Sequence, residues 1–387
     1  MKKLVRITTI PLSLEKLLED QGRFFKAHYK ITFVAADAQK LEAVAAQQGV
    51  DHFPLEMTRK ITPLQDLRCL IKLYHFLRKE KPLIVHTHTP KAGIIGMLAA
   101  RLAGVPIRLH TIAGLPLMEA RGLKRFLLLA IEKLTYYCAT KVYPNSKGLL
   151  SFVLEKRLAP KEKLNIIGKG SSNGIDTRYF SKKQVTQSQV KRLRAAYDFT
   201  TNDFIYCFVG RLVGDKGINE LVNAFCEVNK AISSTKLLLV GPYESALDPL
   251  RNQTQKIINT HPNIIATGFQ ADIRPYLALS NVFVFPSYRE GFPNVVLQAA
   301  AMEVPCIVSN INGCNEIIQE GVNGALIPPK QVQPLIEKMI LFFEQQTTLH
   351  TFTRQARLEV ETHFERKQFW DYLLKEYKDQ EQYVSSH

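Results

Sequence analysis

Short, strongly apolar runs recur along this chain, each separated from the next by a longer stretch with helical periodicity. In the first half they fall at Lys3–Ile10, Lys30–Ala35, Leu83–Thr87, Ile107–Thr111, Lys141–Asn145 and Leu164–Ile167. In the second half they fall at Phe204–Val209, Lys236–Val240, Asn263–Ala266, Val282–Phe285 and Cys306–Ser309. Runs without polar alternation suit strands buried on both faces, and interleaved helices supply the cover, so the pattern predicts an α/β chain with mainly parallel sheets. Helices are expected at Leu64–Lys79, Ile218–Asn229 and Asn294–Met302. In the first of these, Leu64, Leu67, Leu70/Ile71, Tyr74 and Leu77 form the apolar stripe, with Arg68, Lys72, His75 and Lys79 on another face.

A length of 387 residues suits two domains. Gly, Ser, Thr and Gln accumulate between Asn173 and Ser188 without apolar periodicity, which marks a seam. The expected domains are residues 1–180 and 181–361, with residues 362–387 forming an amphipathic helix that packs back on the first domain and carries the only tryptophan, Trp370. Two doubly wound domains facing a central cleft would turn their strand C-termini toward a shared site.

Charge is unevenly spread. Residues 1–180 hold 30 Lys and Arg against 14 Asp and Glu, whereas residues 181–387 hold 21 of each, so the whole net charge of +16 belongs to the first half. That asymmetry predicts an anionic partner. The longest uncharged apolar run, Phe126 to Ile131, is far too short to span a bilayer. The start, Met1-Lys2-Lys3, lacks the apolar middle of a signal peptide, and the six cysteines show no zinc-like spacing, so a reducing cytoplasm is expected.

Several chemistries lack their residues. There is no GxxxxGK[ST], no complete dinucleotide fingerprint, and no Asp-x-Asp pair to carry a metal. Gly170-Ser171-Ser172-Asn173-Gly174 matches G-x-S-x-G in letters, but no helical period follows the serine as a nucleophile elbow requires. His86-Thr87-His88 has no third metal ligand, and no aromatic-interleaved basic stripe points to nucleic acid. What remains is a set of strand-end loops. Gly210-Arg211-Leu212…Asp215-Lys216-Gly217 places a guanidinium and an ammonium five residues apart, able to clamp a diphosphate. In VFVFPSYREGFPNVVLQAAAM, a strand ends near Pro286, Glu290 and Gly291 occupy a loop, and a helix opens near Pro293/Asn294, where free amides favour an anion. Asn294 and Gln298 share one face of that helix.

These segments, with TGFQADIRPYLALSNVFVFPS, GCNEII and HTHTPKAGIIGMLAARLAGVPIRLHTIAGLP, together resemble the retaining nucleotide-sugar glycosyltransferases of family 4. The resemblance implies the GT-B fold of two facing Rossmann-like domains. It also implies transfer of a hexose or N-acetylhexosamine from a UDP-sugar to a polyprenyl-diphosphate-linked glycan. That is the chemistry of the subgroup that builds capsule, O-antigen and related glycans. Carried over by position, His110, Arg211, Lys216 and Glu290 would be catalytic. Gly210, Gly268, Phe269, Ile273, Gly291, Phe292, Pro293, Asn294, Gln298 and Glu316 would bind the donor, and Thr9, Pro11, His88, Lys91 and Gly114 would lie on the acceptor side. No cofactor and no metal are implied. The enzyme would be peripheral on the inner face of the cytoplasmic membrane, held by anionic lipid through the Arg68/Lys72/His75/Lys79 face and the segment Leu115–Tyr137.

Two positions depart from the family pattern. Gln298 stands where a second glutamate usually binds the ribose, and Thr8-Thr9-Ile10-Pro11-Leu12-Ser13 replaces the usual glycine-paired first loop. A sugar epimerase of the same fold and an inactive partner subunit of a glycosyltransferase are the alternative readings.

Overall fold

The computed structural model describes residues 1–115, 117, 120–244 and 248–386. Twelve strands are found among them: β1 (Lys3–Ile7), β2 (Lys30–Ala35), β3 (Asp51–Pro54), β4 (Ile84–Thr87), β5 (Ile107–Ile112), β6 (Lys141–Pro144), β7 (Phe204–Val209), β8 (Thr235–Val240), β9 (Ile264–Ala266), β10 (Val282–Phe285), β11 (Cys306–Ser309) and β12 (Gly324–Ile327). They form two six-stranded sheets, ordered β3-β2-β1-β4-β5-β6 and β12-β11-β10-β7-β8-β9, in which every pair is parallel. Each is a doubly wound, Rossmann-like sheet whose order reverses once: between β1 and β4 in the first, and between β7 and β10 in the second.

The chain divides into unit 1, Met1–Gly174 with Lys367–His387, and unit 2, Ile175–Arg366. The divisions lie a few residues from 180/181 and 361/362, and His387 lies outside the described residues. In unit 1 the sheet separates two apolar clusters. Val5, Ile7, Val85, Ile112 and Val142 lie on one face, and Leu4, Phe33, Leu109 and Tyr143 on the other. The second face is closed by the helix Arg366–Ser385, which buries Phe369, Leu373 and Tyr377 there, while Trp370 Nε1 donates to Asn173 Oδ1 at 2.7 Å. In unit 2 one cluster runs through β7, β8, β10 and β11, and every residue of β7, β10 and β11 is buried.

Three expectations are corrected. The first strand stops at Ile7, because pairing with β2 and β4 ends there and Pro11, which has no N–H to give a ladder, opens a short helix instead. Leu164–Ile167 is no strand: a 3-10 turn at Lys161–Lys163 leaves only a single bridge from Leu164 to Val142. The helix Pro63–Glu80 buries Cys69, Leu73 and Leu77, so Leu64, Leu67 and Ile71 lie outward instead of on the core stripe. The edge strands β3 and β12 carry no sequence signal: each is four residues long, and β3 is only half-buried. Within Leu115–Tyr137, residues 116, 118 and 119 lie outside the described residues.

Leu373→Ala removes a 97%-enclosed leucine, 3% exposed, from the helix that closes unit 1. It is expected to cost about 2–5 kcal/mol of stability in unit 1 alone. Hydrogen exchange under mild denaturant should show faster opening of β1–β6 with β7–β12 unchanged.

Candidate active site

Outside the C-terminal ends of β7 and β10 the strand order of unit 2 reverses, and such a reversal leaves a crevice at the sheet edge. Gly210 and Arg211 leave β7 at this edge. Residues Gly214–Lys216 make a single 3-10 turn, and Gly217, at φ +71°, starts the helix Ile218–Ala231. A Cβ on Gly217 would lie 2.1 Å from the Pro286 carbonyl oxygen just beyond β10, so only glycine lets the two loops meet. Their meeting brings Lys216 Nζ into an ion pair with Glu290 Oε1, the side chains being 15% and 14% exposed. Ser287 Oγ donates to the same carboxylate oxygen at 2.7 Å, and Lys216 Nζ lies 5.5 Å from the centre of the Phe285 ring. Arg289 pairs with Asp215 at 3.0 Å, and Arg211 pairs with Glu244. Burial opposes the Arg211 charge, but the hydrogen bond to Glu244, with Asp215 and Glu290 nearby, raises its pKa above the ordinary value.

The loop that carries Glu290 is braced from β11. Asn312 Nδ2 donates to the carbonyls of Glu290 (2.9 Å) and Gly291 (2.8 Å), and a Cβ on Gly313 would lie 2.5 Å from the Gly291 oxygen. Buried Phe292 and Pro293 then lead into the helix Asn294–Ala301, on which Asn294 and Gln298 are half-buried. Glu316, also half-buried, lies in the short helix Cys314–Ile317 directly after Gly313. Gly268, Phe269 and Ile273 follow β9. Gly268 bridges Gly241, Phe269 is 67% exposed, and Ile273 caps the helix Arg274–Leu279.

Unit 1 repeats the arrangement at β1 and β4. The Thr9 amide donates to Thr89 Oγ1 at 3.0 Å, and the two hydroxyls are 2.7 Å apart. Pro11 is buried at the start of its short helix, Arg6 Nη2 donates to His88 Nε2 at 3.2 Å, and Lys91 pairs with Asp66 at 2.5 Å. His110, near the end of β5, is buried on the other face of the sheet from His88, with Nδ1 2.7 Å from Thr87 Oγ1. A Cβ on Gly93 would come within 2.6 Å of the His110 ring. Burial pushes the His110 pKa down to about 3, so the ring is neutral. Gly114, just past β5, has open space about it. The His86-Thr87-His88 pattern offers no metal site: His86 Nδ1 and Nε2 are engaged by Tyr377 OH (2.6 Å) and Thr111 Oγ1 (2.8 Å). Among the described residues no group of three His, Cys, Asp or Glu could hold a metal ion.

Sequence reasoning gave no role to Asp215, Glu244, Ser287 and Asn312. Asp215 and Ser287 had a usable signal, standing one and three residues before Lys216 and Glu290. Glu244 had none, since its pairing depends on how the loop after β8 returns to β7.

Known proteins share this architecture and its sequence. A family model described as Glycosyl transferases group 1 matches residues 189–359, and one described as Glycosyl transferase 4-like matches residues 20–146. The capsular polysaccharide biosynthesis glycosyltransferase CapM of Staphylococcus aureus is 32% identical over 374 residues, 96% of each chain. The UDP-Gal:alpha-D-GlcNAc-diphosphoundecaprenol alpha-1,3-galactosyltransferase of Escherichia coli is 30% identical over 73% of this chain and 72% of its own. HepE of Anabaena, solved in complex with UDP, superposes with a TM-score of 0.82 at 19% identity, covering 98% of this chain and 100% of its own.

The neutral histidines make unit 1 acid-sensitive. His110 titrates near 3 when folded and near 6.5 when unfolded, so the unfolded chain takes up a proton that the folded one refuses. Its stabilising contribution is complete above about pH 6.5 and falls by about 1.4 kcal/mol per pH unit below that, down to about 3. His86 and His88, also held low by burial, act in the same direction. Urea midpoints measured against pH should fall on this limb, and His110→Gln should flatten the slope.

Proposed function

This chain belongs to the glycosyltransferases of group 1 with a 4-like first domain, and from that premise we propose that it serves capsular or related lipid-linked polysaccharide assembly. The proposed reaction moves a hexose or N-acetylhexosamine from a UDP-sugar to a polyprenyl-diphosphate-linked glycan, with retention at the anomeric carbon. The observation that carries this reading is the edge cluster of unit 2, where Lys216 and Arg211 stand at the reversal of strand order, each held by a carboxylate. Both cations are preorganised, and a diphosphate that replaces Glu244 and Glu290 as their partner takes up their charge at once. The UDP in HepE, and the UDP-sugar and diphospholipid in the name of the Escherichia coli relative, favour this substrate class.

The step that follows breaks the bond between the anomeric carbon and the β-phosphate oxygen. The acceptor oxygen bonds that carbon from the same face, and its proton passes to the departing phosphate. Arg211 and Lys216 stabilise the growing charge on the leaving group, so the reading needs no metal. Released from Lys216, Glu290 binds sugar hydroxyls, and neutral His110 is read as a hydrogen-bonding group for the transferred sugar. The Gly291–Asn294 turn gives backbone amides to the phosphates or the sugar, and Gly210, whose own N–H is bound to the Val240 carbonyl, lines the donor site. The Gly268–Ile273 loop lies by the base, and Gln298 with Glu316 completes the donor contacts. Thr9, Pro11, His88, Lys91 and Gly114 remain the acceptor side.

A lipid-linked acceptor requires a membrane surface, and none of the described helices is long and apolar enough to cross a bilayer. On the helix Gly122–Cys138, Leu123 and Phe126 are 89% and 74% exposed, with Arg121, Lys124 and Arg125 beside them. Outward Leu64, Leu67 and Ile71 accompany Arg68 and Lys72 on Pro63–Glu80. Apolar residues ringed by cations suit insertion into an anionic leaflet, which supports the reading of a peripheral enzyme on the inner face of the cytoplasmic membrane.

Lys216→Ala is expected to lower sugar transfer roughly 100- to 1,000-fold, and near-normal turnover would refute its role. Gln298→Glu should tighten UDP-sugar binding roughly fivefold in calorimetry by restoring a charge-assisted hydrogen bond; unchanged affinity would remove Gln298 from the ribose site. The double variant Leu123→Asp/Phe126→Asp should no longer float with vesicles containing anionic lipid, while the wild type floats and is released by salt.

A further inference from the structure

At the edge of the unit 1 sheet where its strands begin lies a groove of about 690 Å³, within the roughly 300–1,000 Å³ usual for ligand clefts. Its lining comes from three places: Lys2 and Lys3 at the start of β1, Arg78 to Lys81 at the end of the helix Pro63–Glu80, and Ala103 to Pro106 ahead of β5. The strands are parallel, so this edge is opposite the one that carries Thr9, His88 and Gly114, which follow strand ends.

Five cations and one carboxylate line the groove: Lys2, Lys3, Arg78, Lys79, Lys81 and Glu80. Two of the cations have carboxylate partners. Lys3 Nζ donates to Glu80 Oε2 and to the Glu80 carbonyl, each at 2.9 Å, and Lys2 pairs with Glu381 at 2.7 Å. The hydrogen bond from Lys3 holds the Glu80 carboxyl below the usual carboxylate range, so it stays charged and committed to Lys3. Exposed Arg78, Lys79 and Lys81 form no ion pair among the described residues. The C-terminal pole of their helix offsets only about half a charge. Lys81 also takes left-handed backbone, at φ +47°, where glycine is the usual helix terminator, so a cation is kept there against the backbone preference.

Three unpaired cations within the four residues Arg78–Lys81 call for negative charge that is equally concentrated. A phosphate or diphosphate carries it on adjacent oxygens, and the Arg78 fork matches two of them. Carboxylates on one face of an extended acidic segment stand about 7 Å apart and spread the charge instead. Leu77, Leu83 and Ala103 to Pro106 line the rest of the groove without charge, which suits a neutral body attached to the phosphate. Leu64 and Leu67 lie in the first turns of the helix that ends at the groove. At about 1.5 Å per residue, Lys79 is roughly 20 Å along that helix from Leu64, beyond the ~8 Å over which a leaflet's charge reaches at physiological salt. We propose that the groove binds the phosphate or diphosphate end of a soluble ester. The choice of a soluble ligand rests on the membrane reading; the site itself rests on the groove and its unpaired cations.

The full chain, methyl-labelled at leucine and valine, is titrated with inorganic diphosphate, phenyl phosphate, a glutamate-rich peptide and vesicles containing anionic lipid. The Leu83 and Val105 signals, both from the groove lining, are followed by NMR. Diphosphate and phenyl phosphate should move both signals, with affinity falling as salt is added. Arg78→Gln/Lys81→Gln should bind both probes roughly tenfold more weakly, while its Tm and sugar transfer stay at the wild-type level. Arg78→Gln alone, at an exposed helix position, repeats the test if the double variant does not fold. Unmoved signals, or equal binding by the variant, would overturn the proposal. Movement with the peptide alone would make the groove a protein-docking surface, and movement with vesicles alone would put it on the leaflet. Either of these also overturns the assignment to a soluble phosphate ester.

Discussion

A parallel sheet covered on both faces leaves its chain few places to put a charge. In unit 2 every residue of β7, β10 and β11 is buried, so no polar side chain on these strands reaches water. Arg211, Lys216, Arg289 and Glu290 all stand in the turns that follow the strands, and the contacts among those turns set their positions. The closeness of Gly217 to Pro286, and of Gly313 to Gly291, fixes how far apart the turns are. The chemistry of the edge is thus a consequence of backbone packing that only glycine permits.

The two edges handle charge differently. In unit 2 each cation has a carboxylate, which removes the cost of holding a half-buried charge alone while leaving a partner that can be exchanged. In unit 1 Lys91 and Asp66 form a similarly enclosed pair, whereas buried Arg6 is satisfied only in part and by a neutral ring. The unit 2 cations thus have charged partners, and the contact of Arg6 is with an uncharged one.

Much of this was legible beforehand, for identifiable reasons. Strands such as Phe204–Val209 and Val282–Phe285 are uninterrupted apolar runs, and their ends locate Arg211 and Glu290 without any structure. The bracing of the Glu290 loop by Asn312 and the pairing of Arg211 with Glu244 were not legible, since both join loops distant in sequence. The helix Pro63–Glu80 misled because it has apolar residues on two faces, and periodicity alone does not say which of them meets the core. Arg6 was silent for another reason. A lone polar residue in an apolar run shows only when its neighbours across the sheet are known.

Unit 2 is inserted, in chain order, before the last helix of unit 1. During synthesis the ribosome therefore delivers every strand of the first sheet, then the whole second unit, and only afterwards Phe369, Leu373 and Tyr377. Until then a nascent first unit bears an uncovered greasy face around Phe33 and Tyr143, so the second unit is the one able to reach its finished form while translation continues.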